Sequence, residues 1–266
     1  GGVECESRAG FALSSLSDLP VRQAANGKAR SMTHHFGVLI PSTNTTAETE
    51  LARLPSGYQA HFARLMSSTP GRPFVPSRDD DIDYQARLLG TARVEMVILI
   101  QTSASVFTDD YDEITTRRMS AAAGVPAITS AQAVGRALRA LGARRIGLVS
   151  PYSEAVNAMA RRYFADKHGL EIAAFEGFAA TESYAIGQLG PENARAAFVR
   201  INRPEIDAFA VPGGNFPTMA SIAAWEREFN KPVVTTNQAS VWAMALQLGG
   251  ERIPGFGRLL EQMPAG

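Results

Sequence analysis

Cysteine is almost missing from this chain. Cys5 is the only one in 266 residues, which excludes an internal disulfide framework and any thiolate-based metal cluster. Long apolar runs are missing too: Met96 to Ile100 is typical, whereas a membrane-spanning helix needs about 20 apolar residues. Neither sign of charge is in excess, since Lys+Arg and Asp+Glu are each 26, so nothing favours nucleic acid or another polyanion as a partner. Histidine is scarce. His34 and His35 have no third ligand at metal-site spacing, so no metal is expected. The chain has no G-x-S-x-G nucleophile elbow; "GFGRLL" lacks the third glycine of a dinucleotide fingerprint, and "NGKARS" lacks the Ser or Thr that follows the lysine of a phosphate-binding loop. Neither NAD nor ATP is indicated.

What is present is a substantial apolar content, 45% of residues, enough for a large core in a chain of this length. Residues 1–31 mix Gly, Ala, Ser and both charges without period and without the apolar centre of a signal peptide. They read as a disordered or loosely docked extension, with Met32 as a candidate natural start. A cytoplasmic protein is the expectation.

The remainder is a repeat. "FGVLIPSTNTTAE" resembles "IGLVSPYSEAVNA", "VEMVILIQTSAS" resembles "IDAFAVPGGNFP", and "GVPAITSAQAVGRALRALG" resembles "NKPVVTTNQASVWAMALQLG". The offset is about 110 residues throughout. Each unit alternates short apolar, β-branched runs with helical spacing, as in Ala131 to Leu141 before Gly142. Buried strands between helices predict parallel sheets covered on both faces. The expected fold is α/β, two pseudo-symmetric doubly wound lobes over 32–145 and 146–266. Ligands in such sheets bind at the carboxyl ends of strands, so the site is expected between the lobes, lined by 41–46, 101–105, 150–153 and 212–216.

Those strand ends are rich in neutral hydrogen-bond donors. In "PSTNTTAE", Thr45-x-x-Glu48 fits a capping box, predicting a helix start with Ser42, Thr43 and Asn44 facing the cleft. "QTSAS" offers Gln101, Thr102 and Ser103, and "PGGN" offers unobstructed backbone at Gly213 and Gly214 plus the Asn215 amide. Such a ring suits one or two carboxylates and the charge of a developing enolate. The same Ser, Thr and Asn side chains also make ordinary helix caps and loop closures. Trp225 and Trp242 lie in helical patterns and read as core.

"GVLIPSTNTTAETE", "TSAS", "SPYSEAVN", "KPVVTTNQASVWAMAL" and "IPGFGRLL" together resemble the maleate isomerase and arylmalonate decarboxylase branch of the aspartate/glutamate racemase superfamily, from about Phe36 to Leu260. The resemblance implies two pseudo-symmetric α/β lobes, a cleft between them, no metal or organic cofactor, and often a homodimer. It also implies cysteines at two symmetry-related strand ends. Here those positions hold Gln101 and Gly213. Thr102, Ser103, Tyr152 and the Gly214 N–H fall on the family's oxyanion-binding positions.

Without thiols, two-base racemisation and isomerisation by thiol addition lose their reacting groups. Decarboxylation of a malonate-like acid asks less: an apolar place for the departing carboxylate, donors for the enediolate, then one proton. The reading is therefore a cofactor-independent lyase or isomerase-type enzyme acting on a small (di)carboxylic acid, with decarboxylase-like chemistry favoured. Tyr152 is the candidate catalytic acid, with water as the other source of the final proton, and Ser42, Asn44, Gln101, Thr102, Ser103, Gly213, Gly214 and Asn215 are the binding residues. The alternative is a catalytically silent protein that binds a small carboxylate, and a structural subunit is a third reading. The loop from Ser67 to Asp83 is a candidate lid. Removing residues 1–31 should leave a cooperative melting transition unchanged, which differential scanning calorimetry would check.

Overall fold

The computed structural model describes residues 33–66 and 74–263. The extension over 1–31 and the first part of the candidate lid lie outside them. Four parallel strands, β1 (His34–Pro41), β2 (Tyr58–Leu65), β3 (Val97–Leu99) and β4 (Ala127–Thr129), form one sheet in the order β2-β1-β3-β4. Four more, β5 (Arg145–Ser150), β6 (Glu171–Gly177), β7 (Ala208–Val211) and β8 (Val233–Thr235), repeat that order as β6-β5-β7-β8. The sequence repeat is thus a topological repeat. Phe36 to Ile40 are buried without alternation, as expected where helices cover both faces of a sheet.

Helices α1 (Ala47–Leu51), α2 (Asp79–Thr91), α3 (Tyr111–Ala123) and α4 (Ser130–Ala140) belong to the first half. The second half carries α5 (Glu154–His168), α6 (Ser183–Gly187), α7 (Pro191–Ile201), α8 (Ile222–Phe229), α9 (Thr236–Gln247) and α10 (Arg258–Glu261). Residues 79–83 of the candidate lid are the first turn of α2. Thr129 opens α4, its Oγ1 accepting from the Gln132 N–H while the Gln132 side chain accepts from the Thr129 N–H, each at 3.3 Å. α4 and α9, the helices that leave the last strand of each sheet, pack on one another.

One apolar cluster runs through both halves, from Phe36, Ile98 and Val134 to Ile146, Phe209 and Val241. A second, including Leu39, Leu89, Leu99 and Met119, fills the other side of the first sheet. Both tryptophans are buried in the shared cluster. Trp225 stands edge-on to Phe198 at 5.2 Å. A polar tie crosses the same boundary: buried Glu50 of α1 accepts from the N–H groups of Thr218 (2.6 Å) and Met219 (2.8 Å) and from Asn237 Nδ2 (2.7 Å).

His168 closes α5 beneath this core, its ring edge-on to Tyr163 and its Nε2 3.4 Å from the Tyr163 hydroxyl, which donates to Asp112. Burial depresses the imidazole to about 4, with Asp112 opposing and Arg136, Arg139 and Lys167 reinforcing that shift. A base whose folded pKa lies below its unfolded value binds more protons when unfolded, so this contribution is intact above about 6.5 and is lost as pH falls toward about 4. The raised carboxyls of Glu50 and Glu226 act in the opposite sense. The readout is therefore a difference between proteins. From pH 7 to pH 5, His168→Gln should lose less urea stability than the parent, by up to about 2 kcal/mol.

Candidate functional site

The carboxyl ends of β1, β3, β5 and β7 converge on one small cleft. Eight of the nine sequence-predicted residues line it: Asn44, Gln101, Thr102, Ser103, Tyr152, Gly213, Gly214 and Asn215. Ser42 is not among the lining residues, whereas its neighbour Thr43 is.

The loop after β1 turns by a different device from the expected capping box. Asn44 Oδ1 accepts from the N–H groups of Thr46 (3.0 Å) and Ala47 (2.9 Å), starting α1 as an Asx cap. Glu48 pairs instead with Arg64 at 2.6 Å. Arg64 also donates to the carbonyls of Ser42 (3.0 Å) and Asn44 (2.9 Å), so this arginine shapes the loop from behind. The expected roles of Thr45 and Glu48 are corrected accordingly: the short Asn44 side chain reaches the orphan N–H groups first. Thr45 is taken up elsewhere. Its N–H (2.7 Å) and hydroxyl (3.3 Å) donate to Asn215 Oδ1. Asn215 Nδ2 donates to the Ser183 carbonyl at 2.8 Å, so this amide closes the cleft between the halves.

After β3 the chain enters a 3₁₀ turn, Thr102–Val106, whose first N–H groups have no acceptor within the turn itself. Thr102 Oγ1 lies 3.0 Å from both Ser130 Oγ and Thr236 Oγ1, the first residues of α4 and α9 and equivalent positions of the repeat. The Gly213 N–H donates to Thr236 Oγ1 at 2.9 Å. A hydroxyl has one proton and two acceptor sites, so either partner can donate in each of the two Thr102 pairs. Ser103 Oγ donates to the Phe74 carbonyl at 3.1 Å, and the Gln101 amide is engaged with the backbone of Val75 and Ser77.

Tyr152 is 3% exposed, with Phe74 edge-on at 5.4 Å. It is the one titratable side chain among the described lining residues. Burial pushes its phenol well above the ordinary value, partly offset by a hydrogen bond with Thr102. The two glycines of "PGGN" have separate reasons. At Gly213, φ is +110°, and a Cβ would stand 2.9 Å from Pro151 Cγ and 3.6 Å from the Tyr152 hydroxyl. At Gly214, a Cβ would meet Ile100 Cγ2 at 2.1 Å. A side chain at either position would force its neighbours to shift, and at Gly213 it would also strain the backbone.

Pro41 lies in the expected 41–46 stretch, and Phe74 and Val75 lie in the candidate lid, whereas sequence reasoning missed Ile100 at the end of β3 and Ser183 and Ile186 after β6. Ser183 and Ile186 follow the second strand of their unit, as Phe74 and Val75 do in the other, so position in the repeat was the available signal for them. Strain at Gly213 makes a direct expectation. Gly213→Ala and Gly213→Cys should each lower unfolding free energy by about 1–3 kcal/mol in urea titrations, the side chain meeting Pro151 in both.

The family described as arylmalonate decarboxylase matches residues 77–260. An arylmalonate decarboxylase from Bordetella bronchiseptica is 30% identical over 245 residues, 88% of this chain and 99% of that protein. A maleate isomerase from Pseudomonas putida is 26% identical over 245 residues, 85% of this chain and 97% of its own length. In three dimensions, a maleate isomerase variant from Pseudomonas putida S16, solved with maleate, superposes with a TM-score of 0.77 at 23% identity, over 88% of this chain and all of that one. The fold is therefore the two-lobed α/β fold that the repeat predicts. With the family match reaching from the 74–77 segment beside the cleft to the last helix, and a decarboxylase relative alike over nearly its whole length, this chain belongs to the arylmalonate decarboxylase family.

Proposed function

We propose that the cleft decarboxylates a small malonate-like acid and that Tyr152 returns the proton. The observation that carries this reading is the position of the Tyr152 hydroxyl, 3.6 Å from where a side chain on residue 213 would begin. A buried phenol there stands beside the place of a thiol this chain does not have. The lining also divides as the chemistry requires. Thr102 and Gly214 supply a hydroxyl and backbone to the lining, and Pro41, Phe74, Val75, Ile100 and Ile186 supply apolar surface.

In the proposed reaction one carboxylate breaks its bond to the central carbon and leaves as CO₂. The bonding pair moves into the remaining carboxylate, giving an enediolate whose oxygens are met by the Thr102 hydroxyl and the Gly214 N–H. Apolar surroundings favour loss of the carboxylate that lies among them. Tyr152 then gives its proton to carbon and regains one from water. A raised phenol pKa suits an acid acting on an enediolate, a far stronger base than phenolate, and makes Tyr152 a poor base for amino-acid racemisation.

A second reading, a protein that binds a small carboxylate without turning it over, draws on the engagement of Asn215, Gln101 and Ser103 in internal hydrogen bonds. Proton NMR in D₂O with malonate, phenylmalonate and maleate separates the two. The expected outcome is a monocarboxylate product carrying one solvent deuteron on the former malonyl carbon, with Tyr152→Phe slowing turnover by about 10²–10⁴-fold. Ligand line-broadening with no product from any acid would establish the binding protein instead.

A further inference from the structure

Each half of the chain lays a segment beside the cleft just after its second strand: Phe74 to Ser77 beyond β2, and the α6 region beyond β6. One pair of pins respects the repeat. Ser103 Oγ holds the Phe74 carbonyl at 3.1 Å, and Asn215, its equivalent two residues past Gly213, holds the Ser183 carbonyl at 2.8 Å. At the first position of each triplet the symmetry ends. Gly213 has no side chain to contribute, whereas Gln101 Oε1 accepts the Ser77 N–H at 3.2 Å and its Nε2 donates to the Val75 carbonyl at 3.2 Å. A primary amide that satisfies an N–H and a C=O two residues apart acts as the partner strand that this segment does not have.

The segment needs such a partner. Phe74 has φ of +70°, a conformation that costs about 1–3 kcal/mol for a residue with a side chain and persists only when its surroundings hold it. That conformation sets the Phe74 ring edge-on to Tyr152 and leaves it and Val75 in the cleft wall. Gln101 is itself buried, 8% exposed, and both ends of its amide are engaged.

We propose that Gln101 is a positioning residue that clamps the Phe74–Ser77 segment and thereby selects the substituent a bound acid can carry. The inference rests on the reading of the cleft as a carboxylate site. Its consequence is that the amide standing at the place of a family thiol shapes the pocket and does not react. A carboxylic acid with an aryl group should depend on the clamp, because it touches the wall the clamp holds, and an unsubstituted acid should not.

Two variants test this: Gln101→Ala, and Gln101→Met, which keeps the volume while removing both hydrogen bonds. Amide exchange at Ser77, followed by NMR without ligand, should accelerate about tenfold in each, the loss expected for one hydrogen bond worth about 1.4 kcal/mol. Affinity for phenylmalonate should fall about tenfold while affinity for malonate changes less than twofold. Unchanged exchange at Ser77 would overturn the clamp. Equal weakening of both acids would overturn selection, since Gln101 would then be acting on the carboxylate or on the whole fold. If the parent protein binds neither acid, the functional reading fails, and exchange at Ser77 still decides for or against the clamp.

Discussion

A buried carboxylate holds the two halves of this protein together. Glu50 leaves the short first helix of one half and accepts three neutral donors from the other, two backbone N–H groups at Thr218 and Met219 and the Asn237 amide. Burial raises its pKa and the donors oppose that shift, and removing one partner of such a group commonly costs several kcal/mol. Asn237 Nδ2 also donates to the Gly214 carbonyl at 3.1 Å. The tie between the halves is thus one residue away from the cleft wall, so the lobes and the site share one polar network.

That network shows how a symmetric fold supports an asymmetric site. Ser130 and Thr236 occupy equivalent positions at the starts of packed helices, yet both converge on one hydroxyl, Thr102. The repeat places Gly214 opposite Thr102. One side of the cleft therefore presents a hydroxyl and the other a backbone N–H. Tyr152 comes from the second half and Phe74 from the first, and their rings meet. The two strand-end scaffolds are alike in backbone and differ at single positions, Gln101 against Gly213 and Thr102 against Gly214.

Much of this was legible in advance. The repeat, the parallel sheets and a place in the cleft wall for eight of the nine expected residues follow from short motifs at strand ends, because a strand that enters a buried sheet and stops at Pro, Gly or Ser exposes its next residues at a fixed place. The strand-end turn at Asn44 was placed correctly but its mechanism was misread. Thr45 and Glu48 have the spacing of a capping box, but Asn44 takes the orphan N–H groups, and Thr45 and Glu48 pair with Asn215 and Arg64.

By itself the sequence determined the doubled α/β architecture, the location of the cleft and the absence of a thiol at Gln101 and Gly213, since period, apolar content and residue identity are local properties. Only the tertiary structure decided which polar groups remain for a ligand. Gln101, Ser103 and Asn215 all look like binding residues in one dimension, yet each spends side-chain hydrogen bonds on backbone 24 to 170 residues distant. Hydrogen bonds formed on folding compete directly with those available to a substrate. Which partner wins depends on distances between segments that the order of residues along the chain does not specify.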